Sequence, residues 1–140
     1  MSVEFFLDTN ILVYTFDQTA PTKQNRARQI VQTGLDGSAC ISSQVVQEFC
    51  NVALGRFEPP IDATSLREYQ DTVLFPLCRV WPDERLFRDA LLVHVDTGYQ
   101  WYDSLIVAAA IRSGARVLYS EDLQHGRDYR GVSVVNPFRL

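Results

Sequence analysis

Four acidic residues lie where the hydrophobic pattern places strand ends and helix starts. Asp8 ends an apolar run, Glu48 and Asp103 fall near the beginning of two apolar helical segments, and Asp122 follows a short apolar run. Hard divalent cations such as Mg²⁺ or Mn²⁺ take oxygen ligands and need several carboxylates. A cation of this kind can acidify an attacking water and neutralise charge on phosphate oxygens, as phosphodiester hydrolysis requires. The four acids are therefore predicted to form one metal site.

Short apolar strands alternate with helices along the whole chain. The predicted strands cover residues 3–7, 39–41, 77–80, 116–119 and 132–135, and the predicted helices about 10–16, 23–35, 43–54, 63–74, 82–96 and 101–113. This alternation is typical of a parallel sheet covered on both faces. We predict a three-layer α/β/α fold with a central, mostly parallel sheet, and a single domain over residues 1–140.

The predicted topology brings the four acids to one edge of the sheet. Ligands of open α/β sheets bind beyond the carboxyl ends of the strands. Asp8 and Asp122 follow strands, while Glu48 and Asp103 lie near the N-termini of helices that begin or end at the same edge. Each acid alone has an ordinary alternative as a helix cap or turn residue. We expect Glu48 and Asp103 to be half-buried acids without partners, which an ordinary cap does not explain.

The composition is that of an ordinary globular chain. With 140 residues, 46% hydrophobic and 21% charged, it can bury a real core. Its net charge of −4 is unusual for a nucleic-acid binder, but four of the acids are expected to be metal ligands. The three cysteines lack metal-site spacing and are expected to be reduced core residues. No segment is typical of a signal peptide or membrane span, so a cytoplasmic location without membrane association is expected.

Four motifs, in the same order, resemble those of PIN-domain ribonucleases, and VapC-like toxins are the most similar subgroup. They are Phe6-Leu7-Asp8-Thr9-Asn10-Ile11-Leu12, Gln47-Glu48-Phe49, Trp101-Tyr102-Asp103-Ser104-Leu105-Ile106 and Leu118-Tyr119-Ser120-Glu121-Asp122. The resemblance covers essentially the whole chain. It implies a PIN-like fold and endonucleolytic cleavage of unpaired RNA that depends on Mg²⁺ or Mn²⁺.

The resemblance also implies roles for individual residues. Asp8 and Asp103 match the principal metal ligands, while Glu48 and Asp122 match positions that hold the ion's waters or a second ion. Thr9, Asn10 and Ser120 match positions that orient ligands or contact phosphate. All four acids are thereby implied to be catalytic. The expected partners are an RNA substrate, a second copy in a homodimer, and the cognate antitoxin of a type II toxin–antitoxin pair.

Several alternatives stay open from the sequence. Glu121 could replace Asp122 as the fourth acid, and His125 could contact phosphate. A housekeeping RNA-processing nuclease without an antitoxin, or a non-catalytic RNA-binding module, would share the fold. A HAD-like phosphatase is disfavoured because position 10 is Asn10, and a receiver domain because the only lysine is Lys23. The loop at Arg56 and Phe57 could present an aromatic surface to unpaired bases.

Overall fold

The computed structural model of the chain describes residues 2–139, which form a six-stranded sheet and flanking helices. The strands are β1 (Phe5–Leu7), β2 (Ala39–Ser42), β3 (Cys78–Val80), β4 (Val117–Tyr119), β5 (Asp128–Tyr129) and β6 (Val132–Val135). The helices are α1 (Thr9–Tyr14), α2 (Pro21–Gly34), α3 (Ser43–Gly55), α4 (Ala63–Tyr69), α5 (Phe75–Leu77), α6 (Glu84–Thr97) and α7 (Trp101–Ser113).

The sheet has the order β3-β2-β1-β4-β6-β5, and only the β5–β6 pair is antiparallel. The α/β class with a mostly parallel central sheet is therefore confirmed. Strand β1 lies between β2 and β4, so the loops that follow these three strands are neighbours at one edge. The acidic residues of the sequence analysis lie in or near these loops.

The core is built from residues that the periodicity marks as apolar. Phe6, Leu7 and Leu118 in the central strands are fully buried, as are Phe49 in α3 and Val107 in α7. Helix α7 is buried over a continuous run, Ser104 to Ala110, because it packs against α6 and also contacts β2 and β3. An apolar helix of this kind holds the position of its first turn firmly.

Two local features differ from the sequence prediction. The predicted helix over 63–74 is α4 followed by a π-helical turn at Gln70–Leu74, and the chain then continues as α5. Pro76 explains the widened turn, because it cannot donate a hydrogen bond to the preceding turn and its ring would clash there. Strand β5 was not predicted because it has only two residues. Its hairpin turn is Arg130-Gly131, in which both residues have positive φ (53° and 93°), and arginine is not one of the residues that usually signal such a turn.

The cysteines and the membrane prediction can be compared directly with the structure. Cys40, Cys50 and Cys78 are free thiols; Cys40 and Cys78 are buried, and burial raises the pKa of Cys40 to about 11. The expectation of reduced core cysteines is confirmed for these two, whereas Cys50 is only partly buried. Across residues 2–139, no helix combines the length and the apolar character needed to cross a membrane.

Candidate active site

Asp8 lies at the carboxyl end of the central strand β1. Its backbone N–H donates to the carbonyl oxygen of Tyr119 in β4 at 3.0 Å, so the end of the sheet fixes its backbone. Asp8 is also the N-cap of α1, and its Oδ1 accepts a hydrogen bond from the Thr9 N–H at 2.8 Å. The ordinary role as a cap is therefore real, but it uses only one of the two carboxylate oxygens.

Ser120 holds the other oxygen of Asp8. The buried Ser120 hydroxyl donates to Asp8 Oδ2 at 2.8 Å and accepts the N–H groups of Asp122 and Leu123, each at 3.2 Å. One hydroxyl therefore fixes the Asp8 side chain and also the backbone that presents Asp122. This double use couples the end of β1 to the loop that follows β4.

Two more polar side chains connect acids that are distant in sequence. The Thr9 hydroxyl donates to Glu48 Oε1 at 2.9 Å, and Asn10 Nδ2 donates to Asp122 Oδ2 at 3.2 Å. Asp8, Glu48 and Asp122 are thus brought together through Thr9, Asn10 and Ser120. Each of these three acids accepts from a non-acidic side chain and keeps further lone pairs free.

The electrostatic setting of Asp8 disfavours its charged form. Burial is the largest cause, and the negative charges of Glu48 and Asp122 add to it, so the pKa of Asp8 rises from 3.8 to about 6. The hydrogen bonds from Ser120 and Thr9 oppose this rise without cancelling it. A carboxylate whose charge is destabilised in this way is a favourable ligand for a cation.

Asp103 is not part of the hydrogen-bond network that connects the other three acids. It is half-buried in the first turn of α7, and its Oδ2 accepts a hydrogen bond from Gln100 Nε2 at 3.3 Å. The first turn of α7 contacts the first turn of α3, where Gln44 Nε2 donates to the Tyr102 carbonyl oxygen at 3.1 Å. Glu48 lies one turn further along α3. The helix start that carries Asp103 therefore borders the same edge, although none of the side chains that connect the other acids also bonds Asp103.

The arrangement can be tested for its fit to a divalent cation. Within residues 2–139, no group of three or more His, Cys, Asp or Glu side chains is close enough to hold one ion. The donor chemistry nevertheless fits, since the free atoms are carboxylate and amide oxygens. Asn10 donates through Nδ2 to Asp122, but its Oδ1 is buried and has no hydrogen-bond partner among the described residues. A bound water or a cation with its waters would satisfy this acceptor.

Two expectations about individual residues were wrong, and a third stays open. Glu48 is exposed and hydrogen-bonded to Thr9, not half-buried without a partner. Asp103 is half-buried as expected, but it has a partner in Gln100. The ring of Phe57 packs against Phe16 and Phe49 with centroids 5.3 and 5.9 Å away, but Phe57 is only partly buried and lines an open cleft with Arg56, so a base contact at this loop stays a prediction.

The structure also distinguishes Glu121 from Asp122. Glu121 accepts hydrogen bonds from the Tyr14 hydroxyl and from Lys23 Nζ, each at 2.6 Å. Burial acts to raise the pKa of Glu121, but the bonds from Lys23 and Tyr14 outweigh it and the pKa is lowered. Asp122 instead is exposed and faces Asn10. Of the two neighbouring acids, Asp122 is the one available at the edge.

His125 has a local structural contact. Its Nδ1 accepts the backbone N–H of Asn136 at 3.0 Å, which connects the loop after β4 to the end of β6.

The sequence analysis missed the pairing of Lys23 and Tyr14 with Glu121. It also missed Ser42 and Gln44, whose side chains carry unpaired buried oxygens. The signal for the first pair was weak, since 98 residues separate Lys23 from Glu121.

Comparisons with known proteins agree on one fold. No curated protein matches the chain by sequence. The chain is similar to a toxin–antitoxin complex from Klebsiella pneumoniae (16% identity, TM-score 0.71, 98% of this chain and 100% of that chain). It is also similar to DNA-bound VapBC from Salmonella typhimurium (19%, 0.67, 94% and 96%) and to VapC20 from Mycobacterium tuberculosis, a sarcin–ricin loop cleaving toxin (17%, 0.56, 85% and 90%).

At these identities, the three structures establish a shared fold with VapC-like proteins and nothing finer. The sequence model of the PIN domain matches residues 5–128, which span β1 to the first residue of β5 and include all four predicted acids. The chain belongs to the PIN-domain family.

Proposed function

We propose that the chain is a metal-dependent endoribonuclease that hydrolyses RNA phosphodiester bonds, and that it acts as the toxin of a type II toxin–antitoxin pair. PIN domains are generally nucleases. The observation that carries the proposal is the arrangement around Asp8. Thr9 and Ser120 each hold one of its oxygens while Glu48 and Asp122 face it as negative charges. A bound cation would offset the repulsion and burial that destabilise the Asp8 carboxylate.

The residues of this chain would divide the work as follows. Asp8 and Asp103 would be the principal ligands of Mg²⁺ or Mn²⁺, and Glu48 and Asp122 would hold its waters or a second ion. A bound cation of this type acidifies water and stabilises negative charge on phosphate oxygens. Thr9, Asn10 and Ser120 would orient the acids, since hydrogen bonds to ligating carboxylates fix their direction.

The proposal has a direct test in cleavage of a mixed RNA pool. Wild-type protein with Mn²⁺ should cut unpaired RNA, and EDTA should stop the reaction. Asp8→Asn keeps the shape and one carbonyl oxygen but removes the charge, so we expect at least a ~100-fold loss of rate, within the range of losses caused by outer-shell changes alone. Glu68→Gln, on the exposed surface of α4, is a matched control and should cleave normally. Undiminished cleavage by nuclease-free Asp8→Asn protein would falsify the assignment.

The toxin role adds a protein partner to the RNA substrate. Solved proteins with this fold include toxin–antitoxin complexes, which supports a cognate antitoxin for this chain. An acidic edge that accepts a cation can also accept an Arg or Lys side chain of a blocking peptide. We also propose that the chain acts in the cytoplasm and forms a homodimer, and the exposed apolar side chains of Leu91, Leu92 and Val95 on α6 support the dimer.

Expression from the native operon tests the toxin role separately from the nuclease. We expect the chain to purify together with a small protein encoded beside it, and that protein should inhibit RNA cleavage. Expression of the chain without this neighbour should slow growth, while Asp8→Asn should not. A chain that purifies alone and is tolerated by its host would remove the toxin role and leave the nuclease role intact.

A further inference from the structure

A cleft adjoins the acidic edge between α3, α6 and α7. Its volume is about 400 Å³, which lies within the range of small-molecule sites. Glu48 lies on its wall and also accepts the Thr9 hydroxyl, so the cleft and the acidic edge share a residue. Trp101 and Tyr102 line the cleft immediately before Asp103. Anything bound here would lie next to the proposed cleavage site.

The walls of the cleft are aromatic and open. Trp101, Tyr102 and Phe87 are 37%, 63% and 42% exposed, which is high for large apolar side chains. The Phe87 and Trp101 rings pack against each other with centroids 6.1 Å apart, so they form one continuous surface. Unpaired bases stack on exposed aromatic rings of this kind in single-strand-binding proteins.

Two residues that line the cleft, Ser42 and Gln44, carry buried polar oxygens without partners. Ser42 is 3% exposed, and its hydroxyl has no hydrogen-bond partner in the part of the chain that the structure describes. Although Ser42 is the N-cap of α3, its side chain makes no capping bond. Gln44 Oε1 is likewise buried and unpaired within residues 2–139. Together with Asn10 Oδ1 at the acidic edge, they are the buried side-chain polar atoms of residues 2–139 for which the fold supplies no partner.

The orientation of Gln44 follows from its other contact. The atom that faces the Tyr102 carbonyl must be the amide nitrogen, because a carbonyl oxygen only accepts, so the second atom is an acceptor. Gln44 can therefore accept a hydrogen bond from a ligand, and Ser42 can donate one. The Watson–Crick edge of every base offers a donor and an acceptor side by side. An apolar protein segment would leave both oxygens unsatisfied.

We propose that this cleft binds one unpaired nucleobase of the RNA substrate, stacked on Trp101 and read on its Watson–Crick edge by Gln44 and Ser42, whose covered oxygens turn toward the base as it enters. The proposal rests on the nuclease function and deepens it, because it places base selection beside the acidic edge. A paired base cannot use this edge, so the cleft requires single-stranded or looped RNA. The base at this position selects the site of cleavage.

The two tryptophans of the chain provide a matched test. Trp101 lines the cleft, whereas Trp81 is 56% exposed and lies outside it. The ¹⁵N-labelled full chain is titrated in EDTA with each of AMP, CMP, GMP and UMP, and the indole N–H and Gln44 amide signals are followed by NMR. We expect the Trp101 and Gln44 signals to shift to saturation with unequal affinities for the four bases. The Trp81 signal should stay in place.

Substitutions sharpen the assignment. Trp101→Ala should weaken nucleotide binding roughly 5- to 100-fold, the range of base-stacking losses, and Trp81→Ala should not change it. Ser42→Ala removes an unpaired hydroxyl, so it should fold normally while the affinities for the four nucleotides converge. In a cleavage assay with Mn²⁺, Ser42→Ala should relax the base preference next to the cut.

Two outcomes would overturn the proposal. In one, none of the four nucleotides moves the Trp101 signal. In the other, this signal responds to protein concentration and not to nucleotide, which would mean that a second copy covers the cleft. Because binding is measured in EDTA, it does not depend on catalysis. Cleavage without nucleotide binding would contradict only the proposed base site in the cleft. Nucleotide binding without cleavage would contradict the proposed nuclease function.

Discussion

Asp8 and Glu121 are two carboxylates at the same edge of the sheet, with opposite surroundings. Asp8 is enclosed with the negative Glu48 and Asp122 nearby, and its pKa rises to about 6. Glu121, after the neighbouring strand β4, is paired with Lys23 and Tyr14, and its pKa is lowered. The fold therefore stabilises the charged form of Glu121 and destabilises the charged form of Asp8.

The comparison distinguishes acids that stabilise the fold from acids whose charge only a bound ligand would stabilise. The Lys23–Tyr14–Glu121 cluster connects the N-terminus of α2, the end of α1 and the loop after β4, so it stabilises the folded chain directly. Lys23 also lies over the rings of Tyr14 and Phe138. Asp8 offers the fold a helix cap but carries an unfavourable charge. The same change from acid to amide should therefore have opposite effects at the two positions.

The largest expected effect concerns Asp8 in the absence of metal. The folded chain keeps the Asp8 proton up to about pH 6, while the unfolded chain releases it near 3.8. The stability contribution of this group is therefore complete below about pH 4 and is lost as the pH rises through 6. Asp8→Asn should exceed wild type at neutral pH by about 2–3 kcal/mol in the free energy of unfolding, with little difference at low pH. Urea unfolding in EDTA across this pH range measures it, and parallel pH profiles would contradict it.

The next effect concerns the response to Mn²⁺ and decides which acids belong to the site. An ion at about 100 times its dissociation constant stabilises the folded state by about 2.7 kcal/mol. Asp122→Asn and Asp103→Asn should lose most of the resulting shift in melting temperature, while Glu121→Gln should retain it. Thermal melts with EDTA and with Mn²⁺ provide the measurement. An equal Mn²⁺ shift in wild type and Asp103→Asn would exclude Asp103, the acid outside the hydrogen-bond network of the other three.

The smallest effect concerns Glu121. Its lowered pKa means that its contribution to stability is present above its unfolded value and lost as the pH falls through its folded value. Glu121→Gln should therefore lower the free energy of unfolding by about 1 kcal/mol at neutral pH, the usual net value of a lost hydrogen bond, and by less in acid. Chemical denaturation at the two pH values checks this. A Glu121→Gln protein as stable as wild type at neutral pH would show that the pairing with Lys23 contributes nothing.

The alternation of elements and the positions of the acids could be read from the sequence alone. Hydrophobic periodicity is a local property, and it predicted five strands of the sheet and the start of α7 at Trp101. The rule that parallel strands end at one edge then predicted the neighbourhood of Asp8 and Asp122. The motif resemblance predicted the family, which the domain match over residues 5–128 confirmed.

Only the tertiary structure decided which side chain each acid meets. Glu48 is exposed and accepts a hydrogen bond from Thr9. Asp103 accepts one from Gln100, and Glu121 accepts one from Lys23. The unpaired oxygens of Ser42 and Gln44 are equally invisible in the sequence. The physical reason is that burial and hydrogen bonding depend on atoms that the chain brings together from far apart. Periodicity reports which face of an element is apolar, but it carries no information about the partners on the polar side.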